Sequence, residues 1–81
     1  LHSALNGFQK LKMYKQYIHT QQLIGKVHEI QGNYDRALQY YQESREIAEK
    51  QKFIAQLSFT YNNIGNAYFY KQEFKKAVEW Q

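Results

Sequence analysis

The sequence predicts an all-α fold, an α–α superhelix built from stacked antiparallel helix pairs. The first observation is an internal repeat with an offset of 40 residues, which aligns Ile24-Gly25 with Ile64-Gly65 without any gap. A fixed period of this size is typical of stacked helical repeats. The second observation is the composition. The 81 residues include no proline and only four glycines, and 17% are aromatic. This favours an aromatic-rich helical core over disorder.

Length and composition exclude several classes of protein. Eighty-one residues allow one small domain. The absence of cysteine excludes disulfides and thiolate metal sites. No apolar run approaches the ~20 residues that cross a bilayer, and the N-terminus has no signal-peptide core. We therefore expect a cytoplasmic protein without membrane contact. Because the chain starts at Leu1 in a helical pattern, we also expect a fragment of a longer protein.

The first repeat is predicted over residues 17–50. Residues 1–15 align with 41–55 and predict the end of a preceding helix. Helices then follow over about 17–31 and 34–50, separated by Gly32-Asn33, where the asparagine is a favoured N-cap. The inner face of the second helix is predicted to consist of Ala37, Leu38, Tyr41, Ser44, Ile47 and Ala48.

The second repeat is predicted over residues 54–81, with helices over about 54–71 and 74–81, the latter truncated. Its first helix has the strongest apolar periodicity, with spacings that define a single face. That face is predicted to consist of Leu57, Tyr61, Ile64, Gly65 and Tyr68.

Gly25 and Gly65 occupy the same position of the two repeats, inside predicted helices. Glycine in a helix costs about 1 kcal/mol relative to alanine. Its recurrence on an apolar face suggests that the missing side chain lets a neighbouring helix approach closely. We expect this at both positions, and we expect Gly65→Leu to destabilise the fold by about 1–3 kcal/mol.

These residues resemble the tetratricopeptide repeat, over essentially the whole chain. The first copy of the motif is Ile24, Gly25, His28, Tyr34, Ala37 and Tyr41, and the second is Ile64, Gly65, Tyr68, Phe74 and Ala77. His28 departs from the usual tyrosine and is expected to pack as a substitute of similar shape. The resemblance implies a solenoid in which the first helix of each pair lines a concave groove and the second forms the convex back.

Two departures from the common motif point to a subclass. The common repeat is ~34 residues long, whereas this one spans 40, and the proline usual near the end of the second helix is missing. Both are features of a longer-helix subclass. It includes adaptor proteins of the cell-polarity type and the helical domains of bacterial peptide-pheromone receptors, the Rap/NprR/PlcR group.

The resemblance also implies groove residues on the first helix of each pair. In the second repeat they are Phe59, Asn62, Asn66 and Phe69, with Asn63 beside them; in the first they are His19, Gln22, Lys26 and Glu29. Amides donate and accept hydrogen bonds and so suit a peptide backbone; in long-repeat relatives, asparagines at such positions contact bound peptide. The alternative is that the asparagines are solvated and the phenylalanines pack on a neighbouring repeat.

Other kinds of site find little support. The three histidines have no i,i+4 partner and no clustered carboxylates, so we expect no metal, cofactor or catalytic site. The Lys-then-Asn order of the chaperone-type carboxylate clamp is not met by Gln22 and Lys26 or by Asn62 and Asn66. Residues 1–28 carry four lysines and no acid. This indicates a solvated edge, or else an acidic partner; we do not expect nucleic acid to be the partner.

Three hypotheses remain at this point. The first is a non-catalytic scaffold that docks a protein or peptide segment in the concave groove. The second is the sensor arm of a bacterial quorum-sensing regulator, which binds a signalling peptide and controls a separate output domain. The third is self-association through apolar helix faces at the repeat ends.

Overall fold

Three α-helices make up the protein in a computed structural model that describes the backbone of residues 2–79 and the side chains of residues 9–73. Helix α1 spans His2–Ile30, α2 spans Tyr34–Gln51 and α3 spans Ile54–Glu79. Helix α2 packs antiparallel against both neighbours, and α1 and α3 meet in only a few places. The predicted all-α architecture of antiparallel helix pairs is confirmed.

The turn between α1 and α2 forms where the sequence predicts it. Gly32 has a φ of +82°, a conformation that glycine adopts without steric cost. The amide of Asn33 donates to the His28 carbonyl at 2.8 Å, which caps the end of α1. Asn33 is the N-cap of α2, and its carbonyl accepts from the amide of Ala37, although its side chain makes no capping bond.

The predicted inner face of α2 forms the centre of the core. Five of its six predicted residues are buried and the sixth, Ile47, is half-buried; the buried set is Ala37, Leu38, Tyr41, Ser44 and Ala48. They divide between two clusters. One joins Leu38 and Tyr41 to Ala67 of α3, and the other joins Ala48 to Ile18 of α1 and Phe53. Helix α2 is therefore covered on both sides.

Helix α1 differs from its prediction, because it runs without a break through the boundary expected near residue 15. The equivalent boundary, 40 residues later, has Lys52 in the left-handed conformation, with φ 59° and ψ 39°. That strained turn is followed by Phe53, which is buried against Ile18 and Ala48. Met13 stands at the position of Phe53 and is 66% exposed. No comparable burial stabilises a turn there, so the helix continues.

Helix α3 also continues where a boundary was predicted, since no separate helix begins at residue 74. In the first repeat the turn depends on the positive φ of Gly32. The equivalent residue is Gln72, whose Cβ makes a left-handed conformation cost about 1–2 kcal/mol. The side chains of Phe74 and Ala77, and all of Trp80 and Gln81, lie outside the described residues. The division of the chain into two repeats therefore stays a prediction.

The buried face of α3 is not the predicted one. Leu57 and Ile64 are half-buried and pack on the core, but Tyr61 and Tyr68 are about half exposed. The fully covered positions are Thr60, Asn63 and Ala67. Two of these side chains are polar, and Thr60 accepts a hydrogen bond from Gln22 of α1 at 2.7 Å. Because two of the three buried positions of α3 are polar, a search for apolar periodicity does not identify this face.

The two repeat glycines have different surroundings. A Cβ on Gly25 would lie 2.6 Å from Cε1 of Tyr41, closer than Cβ atoms approach in real structures. The close approach predicted at this position is confirmed. A Cβ on Gly65 would meet no atom of the described residues within 4 Å, so the close approach expected there is not found among them, and the destabilisation by Gly65→Leu stays a prediction. The residue equivalent to Tyr41 is Gln81, outside the described residues.

Candidate functional site

A groove of about 380 Å³ lies between α1 and α3. It brings together three of the predicted site residues, His19 and Gln22 of α1 and Phe59 of α3. The remaining lining residues are Lys15, Ile18, Ala55 and Gln56. Phe59 is 59% exposed and His19 is exposed, so both side chains are accessible from the groove.

Gln22 holds the two walls of this groove together. Its side chain is buried, and Nε2 donates to Thr60 Oγ1 at 2.7 Å. The threonine hydroxyl in turn donates to the carbonyl of Gln56, also at 2.7 Å. A buried hydrogen bond between α1 and α3 fixes their spacing. Gln22 therefore lies in the predicted region, but its amide nitrogen is already engaged.

A second cavity, of about 330 Å³, is formed near the C-terminal end of α1. It is lined by Lys26, Glu29, Ile30, Tyr34 and Tyr70. Lys26 Nζ lies 2.8 Å from Glu29 Oε2, and Glu29 is buried although Lys26 is half exposed. Two predicted site residues thus meet here as an ion pair.

The tyrosines of this second cavity were not among the predicted site residues. Tyr34 and Tyr70 stack with ring centroids 6.4 Å apart and planes 21° from parallel. Tyr34 was predicted only as a motif residue of α2. The helical spacing of Tyr70, four residues after Asn66 and one turn from it, is the signal that could have added it to the α3 groove residues.

The α3 wall presents most of the predicted amide and aromatic side chains to solvent. Asn62 and Asn66 are exposed one helical turn apart, and Phe69 is 56% exposed, with its ring edge-on to Tyr70 at 5.8 Å. Asn63 is different, because only 7% of it is exposed. Its side chain lies in the packed face of α3 and is not accessible in the way that Asn62 and Asn66 are.

A basic surface continues from the groove along α1. An open cavity of about 850 Å³ shares Lys15 and His19 with the groove and adds Lys12. The ammonium group of Lys15 also lies 5.1 Å above the ring of Phe53, an arrangement that attracts a cation to an aromatic face. The positive charge noted in the sequence is thus adjacent to the groove.

Outside the groove, tyrosine–carboxylate hydrogen bonds connect the helices. Tyr17 of α1 donates to Glu43 of α2 at 2.7 Å, and Tyr61 of α3 donates to Glu49 of α2 at 2.7 Å. In each case the hydrogen bond raises the pKa of the tyrosine above its usual value. These contacts position α1 and α3 on α2 and so shape the groove from behind.

Two other kinds of site were sought within the described part of the chain. No group of three or more histidine, cysteine or carboxylate side chains there could hold a metal ion. None of the described helical segments is long and apolar enough to span a bilayer.

Comparison with known proteins identifies the repeat. A family model described as tetratricopeptide repeat matches residues 16–81. No curated protein and no solved structure matches the chain significantly. Repeats of this family are typically non-catalytic and imply protein–protein interaction. The match covers most of the chain and agrees with the observed helix pairs, so this chain belongs to the tetratricopeptide-repeat family.

Proposed function

We propose that this chain is a non-catalytic scaffold that docks a protein or peptide segment in the groove between α1 and α3. The observation that carries the proposal is the exposed ring of Phe59 beside His19 in a groove that already exists. Asn62 and Asn66 are exposed on the same helix and supply donors and acceptors for a peptide backbone. The 40-residue period supports membership of the long-helix subclass as part of this proposal.

The mechanism is preorganisation. The Gln22–Thr60 hydrogen bond and the packing of α2 hold the groove walls in place before a partner arrives. A partner segment then loses its own conformational freedom while the protein loses little. Exposed Phe59 is the apolar anchor, because aromatic side chains in a groove contribute strongly to binding energy.

The test begins with a displayed library of random peptides, from which binders are selected on the intact chain. Phe59→Ala should weaken the affinity for the selected peptides by about tenfold. Tyr68→Ala is the matched control, since Tyr68 is a similarly exposed aromatic on the opposite side of α3. Equal losses from the two variants, or no loss from Phe59→Ala, would contradict the proposal.

Asn66→Ala tests the amide contribution separately. Alanine favours helix more than asparagine does, so the substitution should not lower the melting temperature. It should nevertheless weaken peptide binding, because the side-chain donor and acceptor are lost. The exposed Gln72→Ala serves as the control for removal of an amide elsewhere on α3. Unchanged binding by Asn66→Ala would remove this residue from the site.

A comparison of the repeats favours self-association as a second candidate function. Four positions of α3 and the turn before it are buried, namely Phe53, Thr60, Asn63 and Ala67. The residues 40 positions earlier, Met13, Thr20, Leu23 and Val27, are all exposed on α1. This exposed face of α1 thus occupies the same repeat positions as a buried face in the second repeat. We propose that a helix of a second copy covers it.

Sedimentation equilibrium of the purified chain tests the second candidate. We expect a dimer that dissociates when Leu23 and Val27 are both replaced by lysine, since buried like charges oppose the contact. Replacing exposed Ile54, on another helix, by lysine is the control. A monomer at all concentrations would contradict self-association and would leave the groove proposal intact.

A further inference from the structure

We infer that the cavity lined by Lys26, Glu29, Ile30, Tyr34 and Tyr70 receives an arginine side chain of the docked segment. This inference rests on the proposed function, because the arginine belongs to the segment in the groove. It assigns a charge preference to the partner. The preference is opposite to that of a carboxylate clamp, in which the protein supplies the cation.

The first argument is the incomplete pairing of the Glu29 carboxylate. Its side chain is only 5% exposed, and Lys26 contacts Oε2 alone. The other oxygen, Oε1, is buried and has no hydrogen-bond partner. A buried polar atom without a partner is unfavourable, and a buried charge more so. A positively charged donor that enters the cavity would supply both a hydrogen-bond partner for Oε1 and a charge opposite to that of the carboxylate.

The second argument is the position of Glu29 on the helix. It lies in the last turn of α1, where the carbonyl ends of the helix concentrate negative charge. A carboxylate at a helix C-terminus is repelled by that charge, whereas a cation is attracted to it. The helix terminus and the carboxylate therefore favour the same kind of ligand.

The third argument is the aromatic wall. The stacked rings of Tyr34 and Tyr70 line the same cavity as Glu29. A guanidinium group is planar, lies favourably against aromatic faces and donates two parallel hydrogen bonds to a carboxylate. An ammonium group is not planar and does not match the two carboxylate oxygens with two parallel hydrogen bonds. The combination of carboxylate and aromatic rings indicates arginine in particular.

Access to the carboxylate depends on Lys26. Its side chain is 49% exposed, so it is the part of the cavity wall that can move aside. Lys26 occupies the position of an internal cation that competes with the incoming guanidinium. Removing it should therefore strengthen binding of arginine, and removing the carboxylate should weaken it.

The test uses a small probe, N-acetylarginine amide, titrated into the intact chain while the backbone amide resonances are followed by NMR. We expect saturable shifts at Lys26, Glu29, Tyr34 and Tyr70. N-acetylcitrulline amide has nearly the same shape without the charge and should produce almost none. Equal shifts with the two probes, or no shift with arginine at these residues, would overturn the inference.

Two variants should change the affinity for the arginine probe in opposite directions. Glu29→Gln keeps the shape of the side chain and should weaken binding about tenfold, while Lys26→Gln should strengthen it. Glu46→Gln, an exposed carboxylate on α2, is the control. Weakening by both site variants would indicate general disruption of the cavity and would overturn the inference.

The selected peptides separate this inference from the proposed function. If peptides depend on Phe59 but carry no arginine and bind Glu29→Gln normally, the arginine pocket is wrong and the groove stands. If no peptide is selected, the groove proposal fails, while the arginine probe still decides the pocket on its own.

Discussion

The ring of Tyr41 of α2 packs against Gly25 of α1, where a Cβ would lie only 2.6 Å from Cε1 of the ring. Tyr41 is completely buried at the centre of one core cluster, and its hydroxyl has no hydrogen-bond partner. Burial, and after it the negative charge of Glu29, raises the pKa of Tyr41 to about 12. The core of this small protein therefore favours the neutral form of this phenol.

Tyr41→Phe should stabilise the protein at neutral pH. The substitution removes a buried hydroxyl without a partner, whose desolvation is unfavourable, so we expect a gain of about 1 kcal/mol in the free energy of unfolding. Tyr61→Phe is the control, because it removes a hydroxyl that donates to Glu49. Urea denaturation at pH 7 measures both. A clear loss of stability in Tyr41→Phe would show that the hydroxyl has a partner in solution.

Stability should fall as the pH rises from 10 towards 12. A tyrosine whose folded-state pKa is raised to about 12 contributes stability that is fully present below pH 10. Between these values the unfolded chain loses the proton and the folded chain keeps it, so stability is lost by on the order of 2–3 kcal/mol.

Denaturation at pH 9 and pH 11 measures this effect. The fall should be much smaller in Tyr41→Phe. Tyr17→Phe is the comparison, because Tyr17 is hydrogen-bonded to Glu43 near the surface. A fall of the same size in Tyr41→Phe as in the parent chain would contradict the assignment to Tyr41.

Alanine at the two repeat glycines should have opposite effects. Gly25→Ala places a Cβ against the buried ring of Tyr41, and we expect a loss of about 1–3 kcal/mol from the resulting strain. The Cβ of Gly65→Ala meets no atom of the described residues within 4 Å, and the change should gain about 0.5–1 kcal/mol, as is usual in a helix. Thermal unfolding of the pair tests this, and effects of equal sign would contradict the packing described.

Lys52→Gly should stabilise the turn before α3. Lys52 has a left-handed backbone conformation, which costs about 1 kcal/mol for a residue with a Cβ. Glycine adopts it freely and is preferred at this position after a helix. Gln51→Gly is the control, because glycine one residue earlier lies inside α2 and should destabilise it. The melting temperatures of the two variants should therefore move in opposite directions.

The sequence was informative where apolar periodicity and glycine geometry act locally. The turn at Gly32 and the inner face of α2 follow from such signals and agree with the structure, whereas the division into two 40-residue repeats stays a prediction. The helix ends near residues 15 and 72 did not follow. Near residue 15 the outcome depends on whether burial stabilises a strained turn, as it does at Phe53. Near residue 72 it depends on a residue that takes a positive φ, as Gly32 does.

The candidate site was predictable by helix face but not by burial. Phe59, Asn62, Asn66 and Phe69 are exposed on α3, as expected from their spacing. Asn63 and Gln22 are buried, and Gln22 of α1 is buried where its side chain donates to Thr60 of α3. The contact between these helices depends on a hydrogen bond across 38 residues of sequence, and no local pattern reports it.

The most direct measurement of the central claim maps a selected peptide onto the chain by NMR cross-saturation. The account predicts that saturation transfers to His19 and Phe59, which line the α1–α3 groove, and to Asn66, which is exposed further along α3. Transfer to the outer residues Met13, Leu23 and Val27 of α1, or to the exposed face of α2, would contradict it.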